Sequence, residues 1–444
     1  MALESGGVDR SASWLTRSAE LVAAYGPAAV ILTLPLEFTA ILLHQQLSRF
    51  VLLVVGAAFV YLLAVRRRAL VVPRGPSIVL LVLLLAASLV SWALTRRPGS
   101  TNSVIDIALY PFVALLICNL VVSERDHRRA WIAFLVSALC VAVLGAGLYA
   151  SHGHIWAPNP AVAHRLNITF ADPNITARFL TLAACAGVYL YAERRAPTWL
   201  AVSTAAACGI VLPLTFSRSG LALFIAMVLL AVLVAFNRRR ALAIAAVALL
   251  AFALSTGLNP DTRQRATDAV ASVVGVTAPA HTSSPAGPAV QGASALDDNR
   301  RYLIAAGLTM FKDHPLFGVG FGGYQHEILT TYHRFLPSGY TDSVSHTSLV
   351  TVLAEQGLIG ALLLIAFLVQ LARESLEARR RRDAWAPWSS LAAMMVIPIF
   401  LYSLFEARFL QEPYLWLSLG LLYSAQLLAG QWRGTVAAVE RKAA

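Results

Sequence analysis

Arg165 in HRLNITFADPN, Arg218 in TFSRSG, and the adjacent Arg300 and Arg301 in DDNRRYL stand at the ends of long apolar runs instead of among other charges. A guanidinium is planar, always charged and able to bind phosphate through two parallel hydrogen bonds. Several such groups converging on one cavity would hold a pyrophosphate. Each arginine taken singly has a second reading, as an anchor to lipid headgroups or as the partner of a nearby acid such as Asp172 or Asp298. His346 opens the apolar run HTSLVTVLAEQGLIG. A neutral imidazole at a helix N-terminus, with an ordinary pKa of about 6.5 that the helix lowers slightly, is suited to take a proton from a hydroxyl. A capping or interfacial histidine without chemistry is the alternative. Before it lies PLFGVGFGGY, residues Pro315 to Tyr324, where Gly318, Gly320, Gly322 and Gly323 let a backbone approach something closely. Such a run is weak evidence for phosphate on its own.

The elements that must position these residues are membrane spans. Of 444 residues, 58% are hydrophobic and 13% charged, with a mean hydropathy of +0.67, far from the roughly one-quarter charged residues of soluble domains. Apolar runs fall near residues 19–43, 48–65, 77–95, 103–122, 130–150, 174–192, 198–215, 219–236, 241–257, 346–371, 388–405 and 413–430. Each has about the length that crosses a bilayer. Alternate connections and both tails hold 22 of the 35 basic residues, including Arg66 to Arg68, Arg238 to Arg240 and Arg379 to Arg382. The positive-inside rule makes that side cytosolic, with both termini on it. A net charge of +12 distributed in this way, with no basic face interleaved with aromatics, excludes nucleic acid as a partner.

The chain divides into N-terminal spans over 1–150, central spans with outer-loop arginines over 151–257, a large outer loop over 258–345 and C-terminal spans over 346–444. Within the loop, Thr277 to Ser294 is rich in Ala, Pro, Ser and Gly and reads as mobile, whereas Leu303, Ile304, Leu308 and Phe311 recur at helical spacing. That spacing predicts an amphipathic helix over Asn299–Asp313, lying against the outer membrane face. Glu355 is a buried carboxylate in a span, for which function and helix pairing weigh equally. Gly357 and Gly360 read as sites of close helix packing. Glu37, Asp106, Glu406, Arg408 and Glu412 receive no role, and the four cysteines read as packing residues. No Asp-x-Asp motif or outer His and carboxylate cluster has metal-ligand spacing, so no metal and no cofactor is expected.

The ordered set, Arg165 followed by DPN, then SRSG at Ser217–Gly220, then an arginine fifteen residues before PLFGVG, then HTSLVTVLAEQGLIG, resembles the O-antigen ligase and polymerase superfamily. The resemblance covers Arg165 to Gly360 well, and the first five spans mainly in hydropathy. It implies an all-α polytopic integral membrane protein, GT-C-like, of about 12 transmembrane helices, with one large outer (periplasmic) loop late in the chain. It also implies a bacterial inner-membrane enzyme that moves a glycan from an undecaprenyl pyrophosphate carrier to an acceptor hydroxyl, such as lipid A-core, on the outer face. The partners implied are that donor, a glycan or lipid acceptor, and membrane lipid. Carried over, Arg165, Arg218 and Arg300 grip the pyrophosphate, Arg301 is the alternative to Arg300, and His346 is the base. Asn174, Ser217, Gly318, Gly320 and Tyr324 then contact substrate. In-line attack would invert the anomeric centre. The outer segment is compact and His346 starts a helix, which favours a ligase over a repeat-unit polymerase. A transporter or flippase of an anionic lipid-linked substrate is the other class. It predicts charges along a path through both faces and paired Gly- or Pro-broken spans, and the sequence displays neither.

Overall fold

The computed structural model describes residues 13–98, 100–156, 165–264, 267, 293–336, 345, 347–406 and 409–443, without the side chains of Asn102, 293–300 and 431–443. The helices are α1 (Trp14–Thr33), α2 (Thr39–Leu43), α3 (Leu47–Ala64), α4 (Pro76–Thr95), α5 (Thr101–Leu120), α6 (Glu124–Ala150), α7 (Pro173–Ala192), α8 (Thr198–Val211), α9 (Arg218–Val234), α10 (Arg238–Leu258), α11 (Ala293–Asp313), α12 (Tyr324–Leu329), α13 (Ser348–Arg381), α14 (Ala386–Ser403) and α15 (Pro413–Ala443). A helix lies in each of the twelve apolar runs. Among the described residues nine helices are long and apolar enough to cross a membrane, and α9, with 17 residues, is shorter. The run expected over 19–43 is interrupted between Thr33 and Thr39. Leu34 is still helical and donates to Val30, but Pro35 has no N–H to make the next such bond, which brings α1 to its end.

The bundle is organised around α7, which is buried on every side against α6, α8, α9, α10 and α14. Small residues allow the close approaches. A Cβ on Gly209 of α8 would stand 2.4 Å from the Ala248 carbonyl oxygen of α10, and one on Gly220 of α9 would stand 2.8 Å from the Ala177 Cβ of α7. Side chains on the outside of the bundle, such as Leu53, Val60, Leu83 and Leu362, are apolar and exposed, as lipid contact requires. The arginine-rich connections meet at one end, where Arg195 pairs with Glu124 and Glu374 accepts from the Ser77 N–H at 2.9 Å. The other connections meet at the opposite end, where the Phe38 N–H donates to the Thr169 carbonyl at 3.0 Å and Arg97 pairs with Glu327 at 2.8 Å.

Two elements differ from expectation. α11 forms where a helix was expected and reaches back to Ala293, but it buries Leu303, Ala306 and Met310 against Ala354 of α13 and against Val319, Tyr324, Ile328 and Tyr332. Leu308 stays 40% exposed, so the buried face runs through Leu303, Ala306 and Met310 and leaves Leu308 outside. The Tyr332 hydroxyl in this satellite core donates to Asp313 at 2.8 Å; burial, with that bond second, pushes it up to about 12. The second difference is in α13, which is broken at Gly357 (φ 65°, ψ −159°). The segment Thr277–Ser294 falls outside the described residues up to Gly292.

Candidate functional site

The end of the bundle opposite the arginine-rich connections carries three adjoining polar groups. The first is built where α7 and α9 begin. Asp172 caps α7 by accepting from the Asn174 N–H at 2.6 Å, and Ser217 caps α9 by accepting from the Gly220 N–H at 3.1 Å. The caps are tied together, because Asn174 Oδ1 accepts from the Ser217 hydroxyl at 2.8 Å and from Arg165 Nη2 at 3.0 Å. Arg165 Nε also donates to the Thr215 carbonyl at 3.0 Å. Arg218 follows Ser217 directly and is half-buried. The turn between α8 and α9 is a short 3-10 helix, Leu212–Thr215, closed by Phe216 in the left-handed conformation (φ 52°). Two helix N-termini and Arg165 thus meet at one place, with Arg218 as the first residue of α9, an arrangement that favours an anion.

The second group lies one turn further along α7. Arg178 is 1% exposed, donates to Glu406 at 2.8 Å and pairs with Glu412. Glu37 stands close by and accepts from the Ala171 N–H at 3.1 Å. Arg178 was passed over in the sequence. The signal was present as a lone arginine inside an apolar run, with Glu37, Glu406 and Glu412 beside others, since charges within a membrane are expected to pair.

The third group is the glycine-rich segment, which docks into the break of α13. The Val319 N–H donates to the Ala354 carbonyl at 2.8 Å and the Gly320 N–H to the Glu355 carbonyl at 3.1 Å. In return the Leu358 N–H donates to the Pro315 carbonyl at 2.8 Å and the Ile359 N–H to the Leu316 carbonyl at 3.4 Å. Gly318 and Gly320 have φ of 68° and 108°, and a Cβ on Gly318 would stand 2.3 Å from the Glu355 carbonyl carbon. These glycines approach the chain's own backbone. Gly357 was expected to serve helix packing within a continuous span; it is instead the point where that span opens to receive the loop. Tyr324 is buried, donating its N–H to Glu355 Oε1 at 3.1 Å and its hydroxyl to the Leu303 carbonyl at 2.6 Å.

The end of α14 links the groups. Tyr402 shares a hydrogen bond with Thr181 at 2.7 Å, and Ser403 shares one with Ser348 at the start of α13, also at 2.7 Å. Arg165, Asn174 and Ser217 are therefore brought together beside Arg218, and Gly318, Gly320 and Tyr324 are gathered around Glu355. Arg301 is exposed on α11, with no hydrogen bond or ion pair to either cluster among the described residues. Arg300 has only its backbone described, and His346 lies outside the described residues, as does Arg408. Asn167, the start of one of two Asn-Ile-Thr triplets, is buried and donates to the Phe170 carbonyl at 2.9 Å, so it is no glycan acceptor in this fold. Among the described residues no group of three or more His, Cys, Asp or Glu could hold a metal ion.

No curated protein matches the chain. Residues 203–365, from α8 through the glycine-rich loop and the break in α13, match a family model described as O-antigen ligase. The match includes Ser217, Arg218, Arg300, Arg301, Gly318, Gly320, Tyr324 and His346, while Arg165 and Asn174 precede it. Over these residues this multi-helix membrane protein is similar to the O-antigen ligase family.

Proposed function

We propose that the protein is a membrane glycosyltransferase of the ligase kind, moving a glycan from an undecaprenyl pyrophosphate carrier to an acceptor hydroxyl on the non-cytosolic face. The observation that carries the reading is the tie of the α7 and α9 N-termini to Arg165 through the shared oxygen of Asn174, which also takes the hydroxyl of Ser217, the residue before Arg218. Breaking a sugar–phosphate bond leaves negative charge on the pyrophosphate. Fixed guanidinium groups and helix N-termini stabilise that charge without reorganising as it develops. The carboxylates around Arg178 leave that arginine no spare charge, so Arg165 and Arg218 serve as the phosphate grip and Arg178 as the pin of the scaffold. His346 is assigned the proton transfer from the acceptor, and Arg300 or Arg301 completes the grip from the outer segment. Attack in line with the leaving group inverts the anomeric centre. Twelve spans, with both termini in the cytosol, complete the proposal.

Glycan transfer by the purified protein in nanodiscs, with carrier-linked glycan and candidate acceptors, tests it. Arg218→Ala is expected to lower kcat by about a hundred- to a thousandfold, the usual cost of one group that stabilises developing charge, and His346→Ala to abolish turnover, both with unchanged melting. Unchanged turnover in both, or movement of carrier lipid across the bilayer with no acceptor glycosylated, would replace this reading with transport. Joining of repeat units to one another in place of ligation to a separate acceptor would identify the polymerase.

A further inference from the structure

Beside the docked loop lies a cavity of about 140 Å³, walled by α5, the 321–325 segment, the start of α13 and the 409–411 connection. A single water needs only about 10–15 Å³, so the space takes a larger polar group. Its polar lining includes Ser103, Gln325, Thr351, Glu355 and Gln411, with Phe321 and Phe409 as apolar walls. Hydroxyls, amides and one carboxylate facing aromatic surface form the kind of lining in which a few placed polar groups orient a ligand inside an apolar frame.

The chemistry of the lining separates it from the phosphate grip. Among the described residues, neither lysine nor arginine lines the cavity, and no basic side chain pairs with Glu355. Glu355 is 7% exposed and receives the Tyr324 N–H at 3.1 Å, with the Gly322 N–H also directed to it. A carboxyl group has about four acceptor positions, so two backbone donors leave capacity for donors from a ligand. Gln411 donates to the Ser103 hydroxyl at 3.2 Å, and among the described residues its amide oxygen takes no other donor. Anionic phosphate would find no basic partner among the described lining residues, whereas a neutral ring bearing hydroxyl donors meets acceptors. Ser345 and Ser348, three positions apart and flanking the His346–Thr347 pair in sequence, also border the space.

We infer that this cavity is a neutral sugar-binding subsite in which Glu355 and Gln411 accept hydroxyl donors of one sugar ring while Phe321 and Phe409 cover its apolar edge. The assignment rests on the glycosyltransferase reading for its role, and on the lining alone for its ligand class. The ring belongs either to the acceptor or to the leading sugar of the donor glycan.

Saturation-transfer NMR on the purified full chain in nanodiscs, with glucose, galactose, mannose, rhamnose and N-acetylglucosamine as probes, tests the ligand class. At least one probe is expected to bind wild type at millimolar concentration. Glu355→Gln should weaken that binding about ten- to a hundredfold, as loss of a hydrogen bond to a charged group does, and Gln411→Ala by a few-fold. Binding of no probe, or equal binding by wild type and both variants, overturns the inference. Steady-state transfer then identifies the ring. A raised acceptor KM with an unmoved donor KM assigns it to the acceptor, and the reverse assigns it to the donor. Unmoved KM values for both substrates, with only a lower melting temperature, mean that Glu355 merely holds the 322–324 backbone and overturn the subsite. Wild type that binds sugar in the NMR experiment yet transfers no glycan would end the transferase reading and leave the sugar site standing.

Discussion

Replacing Gly357 by alanine is expected to release the glycine-rich loop from α13. At φ 65° and ψ −159° the residue occupies a region open essentially to glycine alone, and holding alanine there costs about 1–3 kcal/mol. Its Cβ would also stand 2.4 Å from both the carbonyl carbon and the oxygen of Leu316. Backbone cannot swing aside as a flexible side chain does, so this overlap adds to the strain. The alternative is for the loop to leave, letting residue 357 become helical at the loss of four backbone hydrogen bonds between 315–320 and 354–359. At about 0.5–1.5 kcal/mol each, that docking is worth about 2–6 kcal/mol; the overlap with Leu316, which backbone cannot relieve, comes on top of the strain and makes leaving the expected response. Hydrogen exchange followed by mass spectrometry reads it directly. Amide protection at Val319 and Gly320 should fall by a factor between about thirty and twenty thousand. Gly257→Ala in α10 is the control, since a Cβ there meets nothing within 4 Å and exchange at the loop should not change. Slow exchange at Val319 and Gly320 persisting in Gly357→Ala would refute the account of the break as a docking site.

Arg178→Met should lower stability by about 3–5 kcal/mol, because it takes the guanidinium away from the buried carboxylates of Glu406 and Glu412. Adding Glu406→Gln and Glu412→Gln to it should recover most of the melting temperature, and a single variant melting like wild type would show that the pair carries little. Transfer activity should survive exhaustive chelation; loss on EDTA treatment with recovery on Mg²⁺ or Mn²⁺ would overturn the metal-independent mechanism.

The positions of the helices were legible because each is a run of apolar residues ended by arginines, Gly or Pro, a local signal that needs no partner. The ties among Arg165, Asn174 and Ser217 were half legible. The motifs named the residues, but the bond from Ser217 to Asn174 spans 43 positions of sequence. The break in α13 was not legible. A glycine within an apolar run reads equally as a packing residue, and only the arrival of Leu316 distinguishes the two. α11 shows the same limit, since its contact face runs through Ala306 and Gly307, whose lack of bulk permits the approach to Val350 and Ala354 and contributes nothing to an apolar pattern. Arg178 was missed because its partners lie 228 and 234 residues away, on segments where single acids looked incidental.

The docked loop has a consequence for how the chain is made. A span with an opened backbone carries carbonyl and N–H groups that hydrocarbon cannot satisfy, at several kcal/mol for each one left bare. Here Ser91 of α4 and the 315–320 segment supply the missing partners, the Glu355 carbonyl taking both the Ser91 hydroxyl at 2.6 Å and the Gly320 N–H at 3.1 Å. Both partners precede α13 in the chain, so they leave the ribosome ahead of the broken helix. The order of the gene thus delivers the complement before the gap, and a rearranged chain that made α13 ahead of residues 315–320 would insert a span with its backbone open and its complement still untranslated.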